Sequence, residues 1–284
     1  MVHRTVGCPR KVVPLSRQEF EVVDHTGRGD PLQSLQLLWR THTKTGRSGL
    51  SLDAIVDAAV ALASEGGTDS LSMRKLADRL HVGAMSLYAY VPGKAELIDL
   101  MVDRVNGQVY EDPDAVPEDG PWRQAIEVVA ARNRDLLARH RWLLGVDESR
   151  PALGPGTLTK YDVELATLAG TGLDDVEIDL VLTLVLQHVR STARLSGAET
   201  NVDTSEGEWW STAGPLLAAL VDPTRFPHAT RVGTAAGEEF QAATDPRRTY
   251  DFGLAIILDG VEQLIERKTY RTATSSRTDE GGTQ

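Results

Sequence analysis

The chain has 284 residues, of which 41% are hydrophobic, and a formal net charge of −11, so it can form one large or two modest folded domains. Its single cysteine, Cys8, excludes an internal disulfide and a multi-cysteine metal site. The longest strongly apolar run, residues 180–186, is far shorter than the roughly 18 residues of a membrane span, and no segment has signal-peptide character. We therefore expect a cytoplasmic protein without a membrane partner.

The charge is unevenly distributed along the chain. It is +4 over residues 1–50 (8 basic, 4 acidic), −3 over 51–110 (5 basic, 8 acidic) and −12 over 111–284 (17 basic, 29 acidic). Nucleic-acid-binding proteins usually carry a basic surface, and only the N-terminal part has an excess of basic residues here. A DNA-binding role must therefore be argued from a structural motif and not from charge. We expect modest affinity for non-specific DNA, because few cations can displace counterions from the duplex.

Residues 1–49 form a polar N-terminal extension that we expect to be partly flexible. Within it, Pro31 precedes a short apolar stretch that predicts a docked helix with Leu35, Leu38 and Trp39 on one face.

Three basic residues, Arg40, Lys44 and Arg47, follow this stretch. They are typical either of an arm that touches phosphate or the minor groove, or of a solvated linker, and we favour the linker.

Residues 50–110 predict a small helical head. Ser51 caps a helix that ends near residue 65, and Ser72 caps a second helix that begins at Met73. Gly83 is expected in the turn that follows, and a third helix from about Ala84 to Tyr90 is anchored by Leu87. Two short helices joined by such a turn form a helix-turn-helix, whose second helix enters the DNA major groove.

The outward face of the third helix carries the candidate DNA-binding side chains. They are Ala84, Met85, Ser86, Tyr88 and Tyr90. Lys94 opens a fourth helix that runs to about residue 109. A cation at the start of a helix is unfavourable because of the helix dipole, but a nearby phosphate would make it favourable. A solvated lysine, and a three-helix motif with no DNA role, are the alternatives.

Residues 51–105 resemble the DNA-binding domain of the tetracycline-repressor (TetR) family. The resemblance is carried by Leu-Ser-Met-Arg-Lys-Leu-Ala from Leu71, Val-Gly-Ala-Met-Ser-Leu-Tyr-Ala-Tyr-Val from Val82, and Lys-Ala-Glu-Leu-Ile-Asp from Lys94. It implies that Ser72, Arg74 and Lys94 contact DNA together with the third helix. Arg74 is the best base reader, because a guanidinium bonds guanine bidentately.

An acidic, proline-containing stretch at 111–121 marks a boundary. The pattern after it predicts a helical body over residues 120–270. Helices are expected at 122–139, 157–168, 174–195 and 209–220, and a last one from 246 or 247 to 267, with a loop at 196–208 and a disordered tail at 271–284. The body also resembles the C-terminal domain of tetracycline repressors, in the order and spacing of Trp122, Arg-Asn-Arg at 132–134, Arg150-Pro151 and Gly172-Leu173. The fold class is therefore all-α, a helix-turn-helix head on a ligand-binding and dimerisation body.

Two body helices, 174–195 and the last one, are apolar around most of their circumference. Such helices need a second buried surface, which two subunits would provide in a four-helix interface, as the family resemblance implies. A monomeric core is the alternative.

Seven residues are candidates for an effector pocket in the body. They are Tyr110, Val129, Asn133, Trp142, Glu164, Gln187 and His188. Asn133 and Glu164 match pocket positions of the family, whereas His188 is more readily read as exposed or paired at an interface.

The sequence departs from the tetracycline repressors where they bind magnesium and tetracycline. Tyr110 and Val146 stand at positions that align with the required histidines. We therefore expect no metal, no cofactor and a different organic effector.

No catalytic motif is present in the sequence, which argues against an enzyme on an all-α scaffold. The sequence predicts a homodimeric, effector-responsive regulator that binds a double-stranded, palindromic operator, most simply as a repressor. An activator of the same fold is the alternative.

Overall fold

The computed structural model describes residues 24–41, 50–110, 121–198 and 206–280, with side chains to 196 and 270 in the last two ranges. Over these residues the fold is all-α, as predicted, with eleven α-helices and one pair of two-residue parallel strands. The helices are α1 Pro31–Leu38, α2 Leu52–Gly66, α3 Met73–Arg79, α4 Ala84–Tyr88, α5 Lys94–Asn106, α6 Trp122–Arg139, α7 Pro155–Ala166, α8 Asp175–Ala198, α9 Glu206–Leu220, α10 Pro227–Phe240 and α11 Pro246–Glu280. The strands are β1 Asp24–His25 and β2 Val146–Asp147.

The head is built from α2, α3 and α4 around fully buried Ile55, Leu76 and Leu87. Both predicted caps are confirmed: the Ser51 hydroxyl accepts from the amide of Ala54 at 3.1 Å and that of Ser72 from Lys75 at 3.2 Å. Because each cap satisfies an amide that the first helical turn leaves unpaired, the two helices begin at defined residues.

The turn between α3 and α4 differs from the expectation. Gly83 has φ −70° and is the N-cap of α4, whereas His81 takes the left-handed conformation at φ 55°. Gly83 thus lies in the predicted turn, but His81 is the residue that takes the left-handed conformation there. The chain reverses directly after Leu80, and histidine tolerates the left-handed region better than most residues.

The head joins the body through α5, which packs against α1, α2 and α7. In the body, α8 packs against both α6 and α11. A 3₁₀ turn, Arg141–Gly145, leads from α6 into β2. None of the described helices is long and apolar enough to cross a membrane.

Several boundaries differ from the sequence predictions. Residues 227–240, for which the sequence predicted no helix, form α10. Pro227 sits at the first position of that helix, where no backbone donor is needed. Helix α8 reaches Ala198 and α9 begins at Glu206, so both intrude on the expected loop. Helix α11 continues to Glu280, into the expected disordered tail.

Helix α1 confirms the predicted docked helix but presents a different face. Ser34 and Leu38 are buried, whereas Leu35 and Trp39 are exposed. The predicted arm residues Lys44 and Arg47, the boundary at 111–120 and residues 281–284 lie outside the described residues.

Candidate nucleic-acid interface and buried polar site

Helix α4 presents an unusual surface for a five-residue helix. Leu87 points inward and is fully buried, while Met85 is 80% exposed and Tyr88 and Ser86 also face outward. Leu87 fixes the helix on the core, and the side chains on either side must then project from it. An exposed methionine and tyrosine beside hydroxyl groups suit contacts with thymine methyl groups and phosphates.

Arg74 lies on the exposed face of α3. Among the described residues it makes no hydrogen bond or ion pair, so its guanidinium is available to a partner. Ser72 is exposed and caps α3, whereas Ala84 and Tyr90 are half-buried and pack against the head core. Arg74 and the side chains of α4 thus line the same helix-turn-helix unit.

Lys94 is the one predicted DNA-binding residue whose charge is already paired in the structure. Its ammonium donates to the Thr68 carbonyl at 2.9 Å and lies 2.9 Å from the Asp24 carboxylate. Sequence reasoning missed Asp24, since nothing in the local pattern of the N-terminal extension places it beside α5.

The junction between α5 and α7 is unusually close. Asp103 on α5 accepts from the amide of Thr157, near the start of α7, at 2.8 Å. A Cβ added at Gly154 would lie 2.3 Å from the Asp103 carboxylate, and one at Gly156 would lie 2.2 Å from the Asp103 carbonyl oxygen. Only glycine permits this approach. Burial raises the pKa of Asp103 although these hydrogen bonds oppose it.

A buried polar cluster lies in the body around Glu164, which is fully buried on α7. Its Oε1 accepts from the Tyr110 hydroxyl at 3.0 Å and from the Asn133 amide at 2.6 Å, and its Oε2 lies 2.8 Å from the Lys160 ammonium. Every partner is a protein group, so the carboxylate charge is compensated without solvent. Burial, followed by the nearby Glu164 charge, raises the pKa of Tyr110, which keeps its hydroxyl protonated as a donor.

The cluster brings together three of the seven predicted ligand residues, Tyr110, Asn133 and Glu164. Val129 joins them through its carbonyl, which accepts from the Asn133 amide at 2.9 Å. Lys160 was missed. Its spacing of four residues from Glu164 on one helix face was the available signal.

The other three predicted ligand residues are not among the contacts of this cluster. Trp142 is buried, and among the described residues its indole nitrogen has no hydrogen-bond partner. Gln187 is exposed. His188 stacks on Tyr250 with ring centroids 5.9 Å apart, and its Nε2 is 2.9 Å from the Tyr250 carbonyl oxygen.

A separate cavity of about 320 Å³ lies between α6, α8 and the start of α11. Arg134, Arg141 and Arg247 contribute to its wall, as does Tyr250. None of the seven predicted ligand residues lines it. Within the described ranges, no group of three or more histidine, cysteine, aspartate or glutamate side chains is arranged to hold a metal ion.

Comparison with known proteins matches both parts of the chain. A family model for bacterial regulatory proteins of the tetR family covers residues 55–101, and one for the tetracyclin repressor-like C-terminal domain covers 113–265. The chain is 37% identical over 256 residues to the HTH-type transcriptional repressor DrrR1 of Streptomyces coeruleorubidus, covering 87% of this chain and 92% of that protein.

Solved structures match as well. Apo ActR from Streptomyces coelicolor is similar with a TM-score of 0.64 and 25% identity, over 78% of this chain and 99% of that one. ActR in complex with actinorhodin has a TM-score of 0.63 and 26% identity, over 77% and 99% of the two chains.

Proposed function

This chain belongs to the tetracycline-repressor (TetR) family of bacterial regulatory proteins, and we propose that it is a transcriptional repressor released from its operator by a small organic effector. Residues 50–110 would form its DNA-binding domain and residues 120–270 its effector-binding and dimerisation domain. As a member of this family it is a regulator of transcription and not an enzyme. A relative named a repressor and a structural neighbour bound to actinorhodin support both parts of the proposal.

The observation that carries the DNA-binding role is the outward display of Met85, Ser86 and Tyr88 on α4 beside the uncommitted Arg74. In the proposed complex Arg74 reads a base edge, and Met85 and Ala84 meet thymine methyl groups. The phosphates are held by Ser72, Ser86, Tyr88, Tyr90 and Lys94. The two heads of a dimer would read half-sites about 34 to 36 Å apart or a multiple of that distance.

The effector site is best supported at the cluster around Glu164. The cluster offers an organic molecule both donors and acceptors, namely a carboxylate, a phenol, an amide and an ammonium. On binding, these groups would exchange hydrogen bonds among themselves for hydrogen bonds to the effector. Tyr110 follows α5 in the chain, and Glu164 and Lys160 lie on α7, whose start is held by Asp103 of α5.

This connection gives the effector a path to the head. An effector that replaces the bonds from Glu164 to Tyr110 and Asn133 would break contacts that hold α7 to its neighbours and would displace this helix. Helix α5 would follow, because Gly154 and Gly156 leave no space between the two helices. The head orientation then changes relative to the body. The effector shifts this equilibrium only by the difference in its affinity for the two arrangements.

Dimerisation is supported by apolar side chains that a single chain leaves exposed. Val176, Leu180 and Leu184 form an exposed stripe at intervals of four residues on α8, and Phe252 and Ile256 are exposed at the same interval on α11. These helices pack against each other in the chain, so a second copy would complete a four-helix interface.

The test is binding of the full-length protein to the DNA upstream of its own gene, measured by fluorescence anisotropy at about 0.15 M salt. We expect binding roughly 10³-fold or more tighter than to a shuffled duplex of equal length. Sedimentation of the same sample should give one dimer per operator. A monomeric protein with equal affinity for both duplexes would rule out the proposed function.

A further inference from the structure

The segment that we call the strap, residues 24–41, bridges the head and the body. Strand β1 pairs with β2 of the body, and the Trp39 indole donates to the Leu153 carbonyl at 3.0 Å. On the other side, the amide of Gly27 and the hydroxyl of Ser34 both donate to the Asp99 carboxylate of α5, at 2.8 and 2.9 Å. The strap is therefore fixed both to the body and to α5.

This anchoring holds Asp24 beside the start of α5. Its side chain is only 13% exposed, that of Lys94 is 35% exposed, and their charged atoms are 2.9 Å apart. A lysine ammonium has three protons. One goes to the Thr68 carbonyl and one to Asp24, which leaves one for any other partner.

We propose that Asp24 is an internal competitor for the operator phosphate at Lys94, so that the strap lowers the affinity of the head for DNA. The inference rests on the proposed function of the helix-turn-helix. A phosphate that approaches Lys94 meets a carboxylate of the same sign within the same contact, and a cation already neutralised by Asp24 releases few counterions from DNA. DNA binding must then open the pair or bear the repulsion.

The anchoring also makes the competition strong. A carboxylate on a free arm would lose conformational entropy each time it paired with Lys94, whereas the strand pairing and the two bonds to Asp99 have already placed Asp24. The strap thus acts as a built-in counter-charge rather than as a basic arm.

The test is the operator affinity of the full-length Asp24→Asn variant as a function of salt. Asparagine keeps the size of the side chain and removes the charge. We expect roughly three- to tenfold tighter operator binding at about 0.05 M salt, and a plot of log K against log salt that is steeper by about 0.9, the value for one additional phosphate contact.

The matched control is Asp30→Asn in the same strap. Asp30 caps α1 by accepting from the Gln33 amide at 2.9 Å, an acceptor role that asparagine retains, and the net charge changes equally. We expect Asp30→Asn to leave the slope unchanged. In a Lys94→Gln background, the gain from Asp24→Asn should disappear.

Four outcomes would overturn the inference: no gain from Asp24→Asn, weaker binding by it, an equal gain from Asp30→Asn, or a gain that survives Lys94→Gln. If Asp24→Asn melts at a lower temperature than the wild type, Asp24→Ser provides the same charge removal with a smaller side chain. Failure of the wild type itself to prefer its operator would instead refute the proposed function, so the two failures are distinguishable.

Discussion

At the scale of single residues, the two cations assigned to DNA differ in their surroundings. Arg74 is exposed and, within the described residues, forms no internal bond, whereas Lys94 is held by Thr68 and Asp24. A sequence motif identifies both positions equally well. Their availability to DNA depends on what the rest of the chain places beside them.

Replacement of Arg74 by alanine should weaken specific operator binding by about 1 to 3 kcal/mol and relax the preference at one base pair. In the proposed role the guanidinium bonds a base edge bidentately, and alanine removes both of these bonds. Competition binding against operators with single base-pair changes measures this effect.

Arg79→Ala is the matched control, because Arg79 is on the same helix but pairs with Glu65 at 2.8 Å. It should lower affinity slightly and equally for all duplexes. If Arg74→Ala also weakens every sequence equally, Arg74 is a phosphate contact and not a base reader.

The buried pair Lys160–Glu164 makes a second prediction at this scale. Glu164→Ala leaves the Lys160 ammonium buried without its counter-charge and should lower the free energy of unfolding by about 3 to 5 kcal/mol. Urea denaturation followed by circular dichroism measures this change.

The double variant Lys160→Met, Glu164→Ala should recover much of the lost stability, since it buries no unpaired charge. Equal destabilisation by the single and double variants would show that Glu164 stabilises the body through Tyr110 and Asn133 rather than through Lys160.

At the scale of secondary-structure elements, the contact between α5 and α7 is the proposed link between the body and the head. The Asp103 carboxylate meets the first turn of α7, and two glycines allow the approach. Helix α7 carries Glu164 and Lys160 of the buried cluster, and Tyr110 of the cluster follows α5 in the chain. Under the proposed function, an effector in the body would reach the head through this tightly packed junction.

Gly156→Ala tests this junction. The added methyl group would lie 2.2 Å from the Asp103 carbonyl oxygen and 3.0 Å from the Gly107 amide nitrogen, both backbone atoms that cannot rotate away. We expect a loss of about 1 to 3 kcal/mol in the free energy of unfolding. We also expect altered operator affinity in the absence of effector, because α5 must move.

Gly233→Ala in α10 is the control, since its added Cβ meets nothing within 4 Å. It should leave operator binding unchanged and raise stability by up to about 1 kcal/mol through helix propensity. An unaltered operator affinity in a folded Gly156→Ala variant would contradict the coupling through α7.

At the scale of the whole molecule, one chain leaves large apolar side chains of α8 and α11 exposed. Leu180, in the exposed stripe of α8, is 59% exposed, and Ile256 on α11 is 56% exposed. Burial of such a stripe gives roughly 25 cal/mol per Å², so a second copy is the natural cover. A symmetric dimer would in turn require a symmetric operator.

Leu180→Glu should shift the protein to monomers and abolish operator binding at nanomolar concentrations, because each dimer would bury two carboxylates in an apolar interface. Analytical ultracentrifugation over a range of concentrations measures the dissociation constant. Leu32→Glu on α1, where leucine is 65% exposed outside the stripe, should stay dimeric. A dimeric Leu180→Glu variant would place the interface elsewhere.

The sequence by itself determined the helices whose signals are local. The caps Ser51 and Ser72, the inward Leu76 and Leu87, and the spacing of the helix-turn-helix all act within a few residues, so the head was predictable. The same local pattern missed α10, because two prolines resembled a break although one of them begins a helix.

Only the tertiary structure decided which distant groups meet. Asp24 lies beside Lys94, Lys160 joins Glu164 with Tyr110 and Asn133, and Asp103 holds the start of α7. These contacts arise when whole helices dock, and docking depends on the summed burial of apolar faces rather than on the polar residues themselves. The position of each polar partner is therefore a consequence of the fold, which no short stretch of sequence encodes.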